Sequence, residues 1–431
     1  MVRQIIITLI GILVPVAASA QTARPIVRVG IDNGDRRGRD QRVIQAAIDY
    51  VANLGGGTVE IAAGRYSLRN AVQLRNNVHI VGVPEKSVLV IGPGRKAALA
   101  KDVAKGATEI TLVDAAGFEL GDAIALEDKA GHGFEVTTAT LIARLGPKSF
   151  RISQPAENDY LVARKAEVKH AISGIAGVNV KNASIKSLTV EGNHGTPGSE
   201  YLGGCRGGGV YLFGCENVLV SGCIVRKFNG DAISFQKKCT KLTIEQCLCE
   251  DNFNVGLHPG SGSHDCIVRK NTLRKNGYVG LFVCVGVRKV LFEDNDITNN
   301  AGCGISIGFN DTDNLFRLNR VINNAETGVL FRRDSPEAKH GAHRNVFEKN
   351  VIKDNLGPRL DKSNSRASSA GKACVVIEGA HHDLTFRDND LGFSRPHAGS
   401  AFLLDTEASN LQLLGNRLHH LENLKQPYRT P

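Results

Sequence analysis

The chain has 431 residues, 42% hydrophobic and 22% charged, a balance that excludes wholesale disorder and, at roughly 150 residues per domain, allows two or three domains. Lys and Arg (53) outnumber Asp and Glu (43), and the net charge of +10 favours a polyanionic partner: nucleic acid, an anionic surface or an acidic polysaccharide. Glycine is abundant at 47 residues, while Trp is absent.

Residues 1–20 place Arg3 ahead of an apolar run from Ile5 to Val16, followed by Ala18, Ser19 and Ala20. A charged start, a short apolar stretch and small residues at its end describe a secretory signal peptide, with cleavage expected after Ala20. The run is too short for a comfortable bilayer span, and no later segment is long and apolar enough to cross one. Export separates the protein from its host's nucleic acid. Acidic polysaccharide therefore becomes the expected polyanion, with no nucleic-acid partner and no membrane span.

Further along, the chain repeats itself. Ala232-Ile233, Gly256-Leu257, Gly280-Leu281, Gly304-Ile305 and Gly328-Val329 follow one another at intervals of 24 residues. Asn252, Asn276, Asn300 and Asn324 keep the same interval, as do Asn271, Asn295 and Asn319, whose equivalents in the two preceding units are Cys247 and Cys223. Each unit reads as short alternating strands broken by Asn, Asp and Gly turns, without helical periodicity. A unit this small cannot bury a core alone. The units must stack strand over strand into a parallel solenoid, equivalent residues about 4.8 Å apart along its axis. A narrow coil has no room for Trp, and turn asparagines can bond to their own kind in the next unit.

These repeats resemble the right-handed parallel β-helix proteins, the pectin-lyase-like group that includes pectate lyases, polygalacturonases and mannuronan epimerases. In chain order the resemblance implies an all-β solenoid with an N-terminal cap and first coils over 26–96. The amphipathic stretch 40–51 forms the cap helix there, and 55–61, 63–66 and 76–82 belong to the first coils. The period vanishes over 97–168, where alternating stretches such as 108–112 and 122–126 indicate a small inserted β-subdomain. The main β-helix then runs over 169–425, interrupted at 334–343 and 357–372.

Strand alternation sorts the side chains. Val210, Ile233, Leu257, Leu281, Ile305 and Val329 point inward. Tyr211, Ser234, His258, Phe282, Ser306 and Leu330 point outward, beside a second outward column of Phe213, Gln236, Gly260, Cys284, Gly308 and Arg332. The small residues of that column are expected to leave a hollow among aromatic and cationic side chains, which suits a sugar-binding cleft. His258 is the leading candidate for acid/base chemistry, because an outward imidazole titrates near neutral pH. His264 is a possible second imidazole and Tyr211 another proton-transfer group. Lys237, Arg332 and Arg333, with Gln236 and Phe282, are expected to hold substrate. Cations beside a uronate carboxylate acidify the neighbouring C–H before a base removes the proton.

The coil at 256–260 is similar to a mannuronan epimerase segment reading G-F-D-P-H. That family's catalytic Asp and His fall here on His258 and Gly260, so only Gly256 and Pro259 are kept. Asp231 matches the second Asp of the polygalacturonase G-D-D-x-I pattern. Hydrolysis requires two carboxylates, and Asp311 and Asp313 offer partners for Asp231, or oxygen ligands for Ca²⁺. No other cofactor is implied. The ten cysteines include stacked pairs (Cys223 with Cys247, Cys215 with Cys239) whose parallel side chains suit buried thiols better than disulfides, and Cys284 is the thiol facing the groove. The expected function is an exported carbohydrate-active protein that binds an acidic polysaccharide and processes it by proton abstraction, as a lyase or epimerase. The alternatives are a polygalacturonase-like hydrolase and a non-catalytic glycan-binding protein.

Overall fold

The computed structural model describes residues 24–130, 133–333, 340–355 and 373–427. The signal peptide and most of both interruptions lie outside the described residues. Asp40 caps the helix Gln41–Asn53 by accepting a hydrogen bond from the Arg42 amide at 2.9 Å. Ile44, Ala47, Ile48 and Val51 recur on one side of this helix and are buried over the first coil.

From there the chain winds as a parallel β-helix with three ladders of strands. Among the described residues one ladder has 13 strands, from Arg36–Arg37 and Ile26–Gly30 to Gln412–Leu414. A second includes Ile224–Arg226, Leu248–Glu250, Thr272–Arg274 and Asp296–Thr298. The third carries the groove face described below. Registers advance by 24 residues per coil, as in Leu248↔Thr272 and Ile267↔Leu291.

The interior follows from the repeat. Phe292, Phe316, Phe347 and Phe386 stack face to face, with successive centroids 4.5, 4.4 and 4.9 Å apart. Asparagine ladders close the turns: each Asn Nδ2 donates to the Oδ1 above it at 2.9 Å through Asn252, Asn276, Asn300, Asn324 and Asn355. Such buried amides are stable because every donor finds an acceptor. Cys247 takes an asparagine's place in a second ladder, its amide donating to Asn271 Oδ1 at 3.0 Å. All ten cysteines are free thiols.

Residues 96–169 leave the coil and form a six-stranded antiparallel sheet around Ile110, Leu112, Phe118, Phe150 and Tyr160. The chain then rejoins the helix, where Ile175 pairs with Val72.

Candidate functional site

The groove-bearing ladder runs through Ile175–Val178, Val210–Phe213, Ile233–Gln236, Leu257–Pro259, Leu281–Phe282, Ile305–Ile307 and Val329–Phe331. Alternation holds. Val210, Ile233, Leu257, Leu281, Ile305 and Val329 join the interior core, and the residue after each stands in one outward column. The outward column is nevertheless covered rather than open. Ser234 Oγ donates to the Gly204 carbonyl at 2.7 Å, and the Tyr211 hydroxyl donates to the Cys205 carbonyl at 2.7 Å, which ties a glycine-rich loop over the strands.

Under this loop lies a carboxylate–imidazole pair. Asp231, fully buried, bonds His258 Nδ1 at 2.7 Å and accepts from Asn254 Nδ2 at 2.6 Å. Burial disfavours the charged imidazole, but the bonds to Asp231 and to the Cys284 thiol outweigh it and raise its pKa from 6.5 to about 9. His258 is therefore an imidazolium at neutral pH. The loop passes so close that only glycine fits at 204: a Cβ there would lie 1.8 Å from Asp231 Oδ2 and 2.6 Å from His258 Nδ1.

Beyond the pair, the Phe282 ring meets the imidazole edge-on, centroids 5.0 Å apart. The Arg332 guanidinium lies 4.3 Å from the Phe282 centroid, donating from Nη1 to Ser306 Oγ at 2.7 Å and from Nη2 to the Val283 carbonyl at 2.8 Å. Lys237 is exposed, with Nζ 4.8 Å from the Phe213 centroid. Gly260 and Gly308 do not leave the expected hollow. Gln236 fills the space over Gly260, its amide bonded to Ser234 and Ser261, and the Arg332 guanidinium lies across Gly308. A cavity of about 980 Å³ opens instead at the other end of the column, between the first coils and the inserted sheet, lined by Tyr211, Phe213, Arg42, Arg75, Thr140 and Arg206.

Several expected site residues are not brought to this centre. Tyr211 is buried and bonded to the loop, and burial pushes its phenol far above the ordinary range, so it holds the loop rather than transferring protons. His264 belongs to the column Thr240–His264–Arg288 that leads into the 13-stranded ladder, and it bonds Asp265 at 2.7 Å. Arg333 is paired with Asp405 and Glu407, which occupy its charge. Asp311, also buried, accepts from the Val287 and Gly308 amides, and Asp313 pairs with Arg344 at 2.7 Å. These two carboxylates therefore offer neither a partner for Asp231 nor a ligand set for Ca²⁺. Asn254 and Gly204 went unread as site features in the sequence. The glycine run at 203–209 was the available signal for the loop.

Two family models match the chain: one described as periplasmic copper-binding protein (NosD) over residues 152–332, the other as right handed beta helix region over 265–420. No curated protein matches in sequence. Among solved structures, the A-module of a mannuronan C-5 epimerase of Azotobacter vinelandii superposes with a TM-score of 0.55 at 15% identity, over 92% of this chain and 97% of that one. The Dettilon tailspike protein gives 0.54 at 12% identity, over 89% and 58%. A surface protein and adhesin of Streptococcus pneumoniae gives 0.50 at 14% identity, over 91% and 98%. Likeness at these identities establishes the fold alone, a right-handed parallel β-helix. Copper does not fit the residues present, since among the described residues no group of three or more His, Cys, Asp or Glu is arranged to hold a metal ion. No helix among them is long and apolar enough to cross a membrane.

Proposed function

We propose that the protein is exported by its signal peptide (residues 1–20) and binds an acidic, uronate-containing polysaccharide across the outward face over His258. It processes that chain by proton transfer of the lyase or epimerase kind. The observation that carries this reading is the Asp231–His258 pair, buried beneath a face where Arg332 lies on Phe282 and Lys237 on Phe213. Aromatic faces suit sugar rings, and the two cations suit a carboxylate. Neutralising the carboxylate makes the adjacent C–H more acidic, so that a water molecule takes its proton, the neighbouring C–O bond breaks, and the imidazolium, fixed by Asp231, donates its proton to the departing oxygen. The loop at 203–206 covers the pair, with the Gly204 backbone against Asp231 and His258. The likeness to carbohydrate-acting β-helices supports the substrate class. A hydrolase reading loses support with the commitment of Asp311 and Asp313 to other partners.

Incubation of the purified protein with uronate-rich and neutral glycans tests this. A lyase yields unsaturated ends that absorb in the ultraviolet, and an epimerase exchanges solvent deuterium into the sugar carbon. Reducing ends without either would establish hydrolysis, and tight binding without any product would establish a glycan-binding protein; each result contradicts the proposal.

A further inference from the structure

The cavity of about 980 Å³ between the first coils and the inserted sheet stands apart from the centre at His258, yet its floor continues the same outward columns. Gln73, Ala176 and Tyr211 stand in register on three successive coils, and Val178 pairs with Phe213 beside them. Thr138 and Thr140 make one wall. They alternate with the core residues Ala139 and Leu141 on the inserted strand Thr137–Arg144, and so face the opposite way. Asn70 fastens this wall to the coil, its Nδ2 donating to Thr140 Oγ1 at 2.9 Å and to the Gly121 carbonyl at 3.0 Å. The cap helix closes the outer end. There the Gln73 amide donates to Gln45 Oε1 at 2.7 Å, and Gln45 Nε2 donates to the Gln73 carbonyl at 3.2 Å. The inner end reaches Arg206, on the glycine-rich loop that covers Asp231 and His258.

The arginines along the coil side are neutralised by their neighbours: Arg42 by Asp40, Arg69 by Asp122 and Arg75 by Asp49. Arg206 differs. Its side chain is only 13% exposed, pairs with Glu157 through Nη2, and sits 5.6 Å from the Phe134 centroid. Its Nε is buried and meets no acceptor among the described residues. A buried N–H without a partner is costly, and a ligand or water that completes the site is its usual explanation. Phe213 and the exposed Val178 supply an apolar floor, while Thr138 and Gln154 supply hydroxyl and amide groups above it. That combination matches a sugar ring, which has an apolar C–H face and a rim of oxygens. The volume lies near the top of the roughly 300–1,000 Å³ range of small-molecule sites, enough for more than one ring.

We propose that this cavity binds the uncharged end of a glycan chain, so that the ligand is a heteroglycan with neutral terminal sugars followed by a uronate. Neutrality follows from the paired arginines, which leave one N–H donor in place of a free charge. An end follows from the cap helix, which stops the columns at Gln73. The chain leaves past Phe213, where Lys237 lies on the ring at 4.8 Å and meets the first carboxylate. Tyr211 stands two coils before His258, about 10 Å by the strand spacing, which places the uronate close behind the bound end. The inference rests on the proposed function for the class of ligand, a glycan, and not for its reaction.

The test applies the purified protein to a printed array of uronate homo-oligomers, neutral oligosaccharides, and mixed chains with a neutral or a uronate unit at either end. The expected binders carry a neutral sugar at a chain end. Thr138→Trp fills the cavity and should weaken their binding about 10-fold or more in calorimetric titration. Arg206→Gln removes the Nε donor and should weaken it about 10-fold. Ile142→Trp, on the same strand but outside the cavity, should bind as the wild type does. Each variant should keep the wild-type circular dichroism spectrum. Preference for uronate homo-oligomers, no binding to any glycan, or binding that both cavity substitutions leave unaltered would overturn the proposal. Uronate processing at the wild-type rate in Thr138→Trp would sink the cavity site and leave the proposed function standing. Neutral-ended chains held through the cavity, with no product from any uronate, would keep the site and sink the reaction.

Discussion

On the two ladders away from the groove, each coil answers the one before it in kind. Asn bonds Asn through the turns, Phe stacks on Phe, and Arg–Glu pairs repeat from coil to coil: Arg269 with Glu245, Arg274 with Glu250, Arg317 with Glu293. On the groove ladder no two neighbouring coils agree. Tyr211, Ser234, His258, Phe282, Ser306 and Leu330 occupy one column, and most of their polar bonds run to a loop or sideways to the next column. In a solenoid, repetition is how stability is built, since each unit supplies its neighbour's missing partners. Departure from repetition then marks where the chain does something else. The comparison also locates much of the positive charge: many arginines sit on the repeating faces and are paired there, leaving Arg332 and Lys237 for the groove.

The comparison predicts where substitutions hurt stability and where they hurt chemistry. Asn300→Ala, in mid-ladder, leaves the Leu273 carbonyl and the Asn276 amides without their partner, and should cost about 3–5 kcal/mol in chemical denaturation. Gly204→Ala drives a methyl group into the Asp231 carboxylate. It should cost about 1–3 kcal/mol and abolish activity, whereas Gly262→Ala, where a methyl has room but the φ of +76 disfavours it, should cost about 1 kcal/mol and leave activity intact.

A third test uses pH. The folded-state pKa of His258 is raised from 6.5 to about 9, so its contribution to stability is complete below pH 6.5 and is lost as pH rises through 9. Asp231→Asn removes the carboxylate that supports the charge. Denaturation midpoints of the two proteins, measured from pH 6 to pH 10, should therefore converge as pH rises. The smallest effect belongs to the repeating face: Arg274→Ala should cost no more than about 1 kcal/mol, because its pair with Glu250 is partly exposed and screened by solvent.

These tests divide along the same line as legibility. The 24-residue spacing of Gly-Leu and Asn columns carried the solenoid, and strand alternation correctly placed His258, Phe282 and Cys284 on the outer side. The pairing of Asp231 with His258 was invisible, because 27 residues separate them: one full coil and a three-residue turn whose path only the folded backbone defines. Arg333 was misjudged for the same reason, since Asp405 lies 72 residues on. The glycines at 260 and 308 did mark missing side chains, but long neighbours folded into the gaps. Alternation says which side a residue faces; it does not say what then covers it.

The central claim is that the break in repetition at Asp231 and His258 is the reacting centre for an acidic glycan. Its most direct test compares wild type with His258→Gln on uronate-rich polysaccharide, following ultraviolet-absorbing ends, solvent deuterium uptake and binding on the same samples. The account predicts product from the wild type, a loss of about 100-fold or more in the variant, and unchanged binding. Equal product from both proteins, or none from either, would contradict it.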